Sequence, residues 1–308
     1  MIIASIDIGT NTVLLLIARI DRITNHIVPI LNKYRLPRIG YGTKQSGVIS
    51  QEKLNLLDDV LIDYKKIINE YKCEKILVTG TNAFRIAKNT PDIIYNLKNK
   101  FDFNLKVVSG DEEAEMAYFG AISNIEQPGP CAVIDIGGSS TEIIIGQSYE
   151  ITSKASLQLG SVSSTELLLK HSPPIKSETE QFQSEIRKLL STIEFKRIPH
   201  NVVAIAGTVT TLVCMKLGLT EFSEEKIENS NLSITDMNKI VNELSKLSAS
   251  ENLDTYGKLL QGREDIIFAG AFILYQFMDY FDIDTVNIST RGIRYGAIQK
   301  YLLELTKH

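Results

Sequence analysis

Three cysteines and four histidines are all that the 308-residue chain contains, and their scarcity removes several chemistries at once. Cys73, Cys131 and Cys214 stand far apart, match no zinc spacing and leave one thiol over if two paired. A disulfide framework is therefore not expected, and a reducing cytoplasm is the expected compartment. His26, His171, His200 and His308 are scattered, with no Ser, His and Asp spacing that suggests acyl transfer and no grouping that suggests a histidine-bound metal. Positive charge is not in excess either. A net charge of −4 gives no overall attraction for nucleic acid or a membrane surface, so neither partner is expected and any anionic ligand must meet a local patch. Long hydrophobic runs are missing too. The apolar N-terminus is broken by Asp7 and Asn11, follows no basic stretch, precedes no small-residue cleavage site, and falls short of the roughly 18 uninterrupted apolar residues of a membrane span. No tract is low in complexity, so the chain should fold throughout, and its length suits two domains.

What is present reads as alternating strands and helices, the mark of an α/β fold. Residues 2–8 and 13–20 are rich in Val, Leu and Ile around a Gly-Thr-Asn turn, which predicts a hairpin. Residues 50–71 place Leu54, Leu57, Leu61, Tyr64 and Ile68 on one helical face. KILVTG then reads as a buried strand, NTPDIIYNLKNK as a helix with Thr90 as N-cap and Pro91 first, and NLKVV as a strand. NIEQPGP, residues 124–130, suits a linker, after which the pattern restarts. A second hairpin from 131 is followed by SKASLQLGS, helices near 161–170 and 177–193, the strand NVVAIAG, and helices near 208–218 and 235–248. An apolar helix at 264–281, the strand TVNIS and a terminal helix from about 295 complete the chain. The 264–281 segment is apolar around most of its circumference, so it should be buried in the core or at a subunit contact.

Both hairpins share an oddity. Asp7-Ile8-Gly9-Thr10-Asn11-Thr12 returns 128 residues later as Asp135-Ile136-Gly137-Gly138-Ser139-Ser140, followed by Thr141 and Glu142. Gly and small hydroxyl residues in a tight turn leave backbone N–H groups facing an open loop, a concavity that binds phosphate oxygens. An acid at the adjacent strand end suits a divalent cation, which prefers hard oxygen ligands. The same residues also fill ordinary hairpin turns, and it is the repetition in matching contexts that favours a phosphoryl clamp. AIAGTVTTL, with Gly207 and Thr208 at a helix start, is a third geometry suited to an anion. SGDEEAEMAYFGA opens with a Ser109 and Glu112 capping box, and places Glu113 on the face of Ala117 and Gly120. Its acids equally suit the positive end of a helix dipole. Arg85, after a strand ending in small polar residues, is a planar donor suited to phosphate or simply a surface arginine. The segment 32–44 reads as a loop concentrating Lys33, Arg35, Arg38 and Lys44.

In chain order, DIGTNT, TNAFRIAKN, VVSGDEEAEMAYFGA, IDIGGSSTE, SLQLGSVSSTE, AGTVTTL, GREDIIFAGA and STRGIRYGA resemble motifs of the exopolyphosphatase and guanosine pentaphosphate phosphohydrolase family, a branch of the actin, hexokinase and Hsp70 superfamily. The resemblance implies two ribonuclease H-like (actin-like ATPase) lobes with an interlobe cleft. Residues 1–124 would form the first, 125–294 the second, and a helix from about 295 to 308 would pack back on the first. Matched by position, Glu113 is implied as the catalytic carboxylate. Asp135 and Glu142, with Asp7 nearby, would hold magnesium. Arg85, the Gly137, Gly138, Ser139, Ser140 and Thr141 loop, Asn11 and Thr12 of the first loop, and Gly207 with Thr208 would hold phosphate. The implied activity is release of terminal orthophosphate from inorganic polyphosphate by attack of water. Hydrolysis of guanosine pentaphosphate by the same machinery is the nearest alternative; a kinase, or a nucleotide-binding sensor that lost turnover, is more distant. A homodimer is also implied. Ser139 stands where the family usually has a third glycine, and Tyr295 where it often has Glu. The stop at His308, before the extra helical domains of longer members, leads to the expectation of a short two-lobed form that prefers short or medium polyphosphates.

Overall fold

The computed structural model describes residues 1–21, 26–125, 129–194 and 197–305, and divides into two units: Met1–Glu126 with Arg291–His308, and Gln127–Thr290. Residues 126–128 of the expected linker and the last three residues of the expected terminal helix lie outside the described residues.

The first unit runs β1 (Ile2–Ile8), β2 (Val13–Ile20), β3 (Ile27–Arg35), α1 (Thr43–Ser46), α2 (Gln51–Glu70), β4 (Lys75–Gly80), α3 (Asn82–Ile86), α4 (Thr90–Phe101), β5 (Leu105–Val107) and α5 (Gly110–Ile122). Its sheet has the order β3-β2-β1-β4-β5, antiparallel from β3 to β1 and parallel from β1 to β5. Alternation assigns the two faces. Ile6, Ile8, Val13 and Leu15 meet Leu57, Leu61 and Tyr64 of α2, while Ile3, Leu16 and Ala18 meet the chain's last helix. The predicted first hairpin and the apolar face of α2 are both present. Two readings are corrected. Lys33 and Arg35 belong to an edge strand, β3, which pairs along β2, and not to a loop. Asn89, not Thr90, is the N-cap of α4, because the Thr90 hydroxyl donates to the Phe84 carbonyl from within the helix.

The second unit runs β6 (Pro130–Ile136), β7 (Thr141–Gln147), β8 (Glu150–Leu157), α6 (Ser161–Leu168), α7 (Lys176–Leu190), β9 (Val202–Ile205), α8 (Ala206–Lys216), α9 (Glu224–Ile227), β10 (Asn231–Ser233), α10 (Ile234–Leu244), α11 (Ala249–Tyr256), α12 (Ile267–Tyr280) and β11 (Thr285–Ile288). The order β8-β7-β6-β9-β11 repeats that of the first sheet, direction for direction, and β10 adds one antiparallel edge strand. Even the irregularity is shared. The β2–β3 register slips between Ile17 and Ala18, and the β7–β8 register slips 128 residues on, between Ile145 and Gly146. A bulge re-aims the strand it bends, so its recurrence at the same step marks two copies of one design. The apolar α12 is buried along nearly its whole length inside this unit's core, against Phe182, Val209 and Met237. Most of its apolar surface is satisfied there, with Tyr280 at its end exposed.

The chain returns to the first unit as α13 (Ile293–Leu305), which packs on α5 and on the Ile3 face of the sheet. Two glycines permit the approach. A Cβ on Gly120 would lie 2.1 Å from the Gly292 carbonyl oxygen, and one on Gly296 would lie 1.8 Å from that of Met116. The small face of α5 noted in the sequence therefore sits against another chain segment.

Candidate active site

In the first unit, β1 delivers Asp7, α3 delivers Arg85 and α5 delivers Glu113. The α5 start is fixed by the predicted capping box: Glu112 N–H donates to Ser109 Oγ and Ser109 N–H to the Glu112 carboxylate, each at 3.1 Å. That leaves Glu112 occupied with its own helix and with Lys106 at 2.7 Å, while Glu113 turns toward Arg85. Arg85 Nη1 donates to Glu113 Oε2 at 2.5 Å and to the Val108 carbonyl at 2.9 Å. The Glu113 side chain is 25% exposed. Burial pushes its carboxyl above the ordinary glutamate value, and Arg85 draws it part of the way back. Asp7 is more buried, at 8%, and its Oδ1 has no hydrogen-bond partner among the described residues. Burial first, and the Glu113 charge second, raise its carboxyl to about 7 against the pull of Arg294. Arg294 is held in turn by Asn32, whose Oδ1 accepts from its Nη1 at 2.6 Å. No role for Arg294 or Asn32 is read from the sequence, since the contact joins α13 to β3 across 262 residues of chain.

The predicted turns are alike in hydrogen bonding. Gly9 N–H donates to the Thr12 carbonyl and Gly137 N–H to that of Ser140, both at 2.9 Å. Each turn is also held from behind. The Thr10 and Asn11 carbonyls accept from Gly40 and Arg38 N–H at 2.9 and 3.0 Å. Those of Gly137 and Gly138 accept from Ser161, Val162 and Ser163 N–H, the first turn of α6, at 2.9 to 3.0 Å. Thr141 is buried, its hydroxyl donating to the Leu159 carbonyl at 2.6 Å, so it anchors the loop from inside.

Asp135 and Glu142 face each other across the β6–β7 ladder, and Ser156 follows in the same register on β8, its hydroxyl donating to Glu142 Oε1 at 2.9 Å. Residues directly opposite in an antiparallel pair share a face with Cβ atoms about 5 Å apart, where two carboxylates repel. A divalent cation offsets that repulsion, so the donor set, hard oxygens beside an N–H-rich turn, fits magnesium. Asp7, the equivalent of Asp135, faces Leu14 in its own ladder. Among the described residues no three His, Cys, Asp or Glu side chains gather into a metal cage. Two protein carboxylates with water completing the shell is a habit of Mg²⁺.

Gly207 and Thr208 lie in the first turn of α8. The Thr208 side chain is buried against Gly270 of α12, where a Cβ would come within 2.4 Å of its methyl. The Gly207 carbonyl collects donors from Arg263 Nη1 at 2.5 Å and Thr211 Oγ1 at 2.7 Å. Arg263 lies so close that a Cβ on Gly207 would be 2.4 Å from its guanidinium. Of this motif, the structure brings an unanticipated arginine to the helix start and turns the threonine side chains inward.

The profile of the Ppx/GppA phosphatase family matches residues 16–305, nearly the whole chain. The chain belongs to this family. Among its relatives, a bifunctional 3-dehydroquinate synthase/phosphatase of Fusobacterium nucleatum is 30% identical over 96% of this chain, which spans 46% of that protein. Exopolyphosphatase 2 of Mycobacterium tuberculosis is 26% identical over 96% of both chains. A guanosine-5'-triphosphate,3'-diphosphate pyrophosphatase of Aliivibrio fischeri is 25% identical, and this Ppx/GppA chain spans 59% of it. The crystal structure of the Aquifex aeolicus Ppx/GppA family member superposes with a TM-score of 0.88 at 28% identity, covering 99% of this chain and 98% of that one. The two-sheet α/β architecture is thus that of the Ppx/GppA family. Among the described residues no helix is long and apolar enough to cross a membrane.

Proposed function

We propose that the protein is an exopolyphosphatase that releases orthophosphate from the end of inorganic polyphosphate, and that Glu113 is its general base. The observation that carries the reading is Glu113 itself. It is a partly buried carboxylate at a capped helix start, its proton affinity raised by burial and its position fixed by Arg85. A base of that kind takes a proton from water as the water oxygen bonds to the terminal phosphorus. The P–O bond to the rest of the chain breaks, its electron pair leaves with the shortened polyphosphate, and the proton passes from Glu113 to solvent.

Arg85 uses Nη1 for Glu113 and Val108, so its Nε and Nη2 donors are the ones proposed to hold phosphate oxygens while the same guanidinium keeps Glu113 aimed. N–H groups of the Asn11–Thr12 and Gly138–Ser140 turns are proposed as further phosphate donors, a form of electrostatic stabilisation that needs no covalent intermediate. Asp135 and Glu142 would hold magnesium in the second unit, and the orphaned Asp7 Oδ1 suits a cation in the first. When bound, the metal supplies positive charge to the phosphoryl oxygens. Cys73, Cys131 and Cys214 are free thiols, which supports a cytoplasmic setting, and the homodimer implied by the resemblance is retained as part of the proposal.

Release of phosphate from polyphosphate, guanosine pentaphosphate and ATP, each with magnesium and with excess EDTA, tests the reading. Release from polyphosphate, lost in EDTA, is expected. Turnover of guanosine pentaphosphate alone would favour the second activity, which the Aliivibrio relative supports. Undiminished activity in EDTA would remove the metal from the proposal.

A further inference from the structure

We infer that Gly160 with the first turn of α6, and Gly40 with Arg38, are positioning elements that aim the two turns' N–H groups at phosphate. The inference rests on the reading that those turns take phosphate.

A peptide group is planar and trans, so its C=O and N–H point in opposite directions. Fixing a carbonyl therefore aims the next residue's N–H the other way. In the second unit the Gly137 and Gly138 carbonyls are fixed toward α6 by Ser161, Val162 and Ser163 N–H, and Ser163 Oγ donates to the Ser139 carbonyl at 3.3 Å. The N–H groups of Gly138, Ser139 and Ser140 are thereby directed away from α6. In the first unit, fixing the Thr10 and Asn11 carbonyls toward Gly40 and Arg38 directs the Asn11 and Thr12 N–H groups away from that segment. Two unrelated backings, a helix start and a loop, thus produce one result on the two copies of the turn.

The helix start contributes more than an anchor. Its N–H groups carry the positive end of the α6 dipole, and a carbonyl that accepts from them is polarised so that the N–H of the same peptide becomes a stronger donor. The first turn of α6 therefore reaches an anion through the loop and not by direct contact. Pinning also removes freedom from a Gly-Gly-Ser-Ser turn that would otherwise have to be ordered when the ligand binds.

Close approach explains the glycine. A Cβ on Gly160 would lie 2.4 Å from the Gly138 carbonyl carbon and 2.5 Å from both its oxygen and Ser139 N, all backbone atoms, so any side chain must push the turn off α6. On Gly40 the clash is with the Thr10 methyl at 2.3 Å, a side-chain atom. Replacing Thr10 by Ser removes that methyl and keeps the hydroxyl.

The test measures KM and kcat for polyphosphate, tripolyphosphate affinity by calorimetry, and circular dichroism melting, on wild type, Gly160→Ala, Ser163→Ala, Gly40→Ala and the double variant Gly40→Ala with Thr10→Ser. Gly160→Ala should lower tripolyphosphate affinity and kcat/KM at least tenfold, chiefly through KM, and Gly40→Ala by a smaller factor that the Thr10→Ser change restores. Ser163→Ala removes the bond to Ser139 and also the one Ser163 Oγ accepts from Gly160 N–H at 3.2 Å, so it should raise KM a fewfold while the protein stays folded with a slightly lowered melting temperature. If wild type neither binds tripolyphosphate nor releases phosphate, the reading of the turns as phosphate sites fails. If wild type does both and folded Gly160→Ala stays within twofold of it, the inference is overturned. Should Gly160→Ala not fold, the decision passes to the other variants: an unchanged KM in Ser163→Ala together with no restoration by Thr10→Ser overturns it equally.

Discussion

Asp7→Asn should make the metal-free protein more stable at alkaline pH and, at the same time, inactive. The Asp7 carboxyl is pushed from an ordinary 3.8 to about 7 because it is buried and lies near the Glu113 charge, with Arg294 only partly offsetting both. Forcing the group to ionise in the folded state therefore costs roughly 4 kcal/mol, at about 1.36 kcal/mol for each pH unit of displacement. The sign follows from proton binding. Between pH 4 and 7 the native state still holds the proton that the unfolded chain has released, so stability falls as pH rises through this window, and above it the cost is present in full. Asparagine has the same shape and no charge to bury. Urea unfolding in EDTA should give a variant close to wild type near pH 4 and up to about 4 kcal/mol more stable near pH 8.5. Other carboxylates titrate in both proteins, so the difference between the curves is the quantity to read. Magnesium, which the proposed Asp135 and Glu142 site would bind in both proteins, should narrow the difference between the two curves by also binding at Asp7 in wild type. Equal stability of the two proteins at pH 8.5 would refute the reasoning and mean that the Asp7 site is already compensated without metal.

Glu113→Gln should lower kcat by about 10²–10⁴-fold while leaving tripolyphosphate binding nearly intact, since the amide keeps the size and loses the base. Near wild-type turnover would remove Glu113 from the mechanism. Because burial raises the Glu113 carboxyl, wild-type activity should fall on acidification at a pH above the ordinary glutamate range, and an acid limb at or below that range would count against Glu113 as the group being titrated. Gly296→Ala should destabilise the first unit by about 1–3 kcal/mol in urea unfolding, as overpacking does, because its methyl would meet the Met116 carbonyl at 1.8 Å. A loss below about 0.5 kcal/mol would show that α5 and α13 can part without cost.

Local signals in the sequence were read well where one stretch of chain decides the outcome. The two hairpins carry alternating apolar residues around turn residues, and Ile2–Ile8 and Val13–Ile20 form where that pattern places them. The Ser109–Glu112 capping box needs only four residues and is present. Strand β3 was missed because Pro29, Asn32 and Lys33 interrupt its apolar run, and its pairing comes from β2, not from its own propensity. Thr90 was misplaced by one position because its hydroxyl finds Phe84, a partner that cap statistics do not include. Arg38, Gly40 and Gly160 had no chance of being read as supports. Their meaning lies in atoms 21 to 30 residues away in sequence that only the fold brings within 3 Å.

The repeated turn is surrounded by different carboxylates in the two units. Both units present an acid at the end of the first strand, a turn closed by the same Gly N–H bond, and a bulge at the same step of the next ladder. They differ at the residue opposite the acid. In the second unit it is Glu142, which makes a carboxylate pair with Asp135 that asks for a cation. In the first it is Leu14, which leaves Asp7 alone and buried and hands the second carboxylate to Glu113, on a different element and under the control of Arg85. A pair on one ladder is held at fixed spacing by backbone hydrogen bonds, as a metal site requires. A carboxylate on a helix start, restrained by an arginine, can be raised in proton affinity without being neutralised, as a base requires. On the proposed reading, the ladder position opposite the acid, glutamate in one unit and leucine in the other, is where the surroundings of the two turns diverge, and the second carboxylate near Asp7 comes instead from Glu113 on α5.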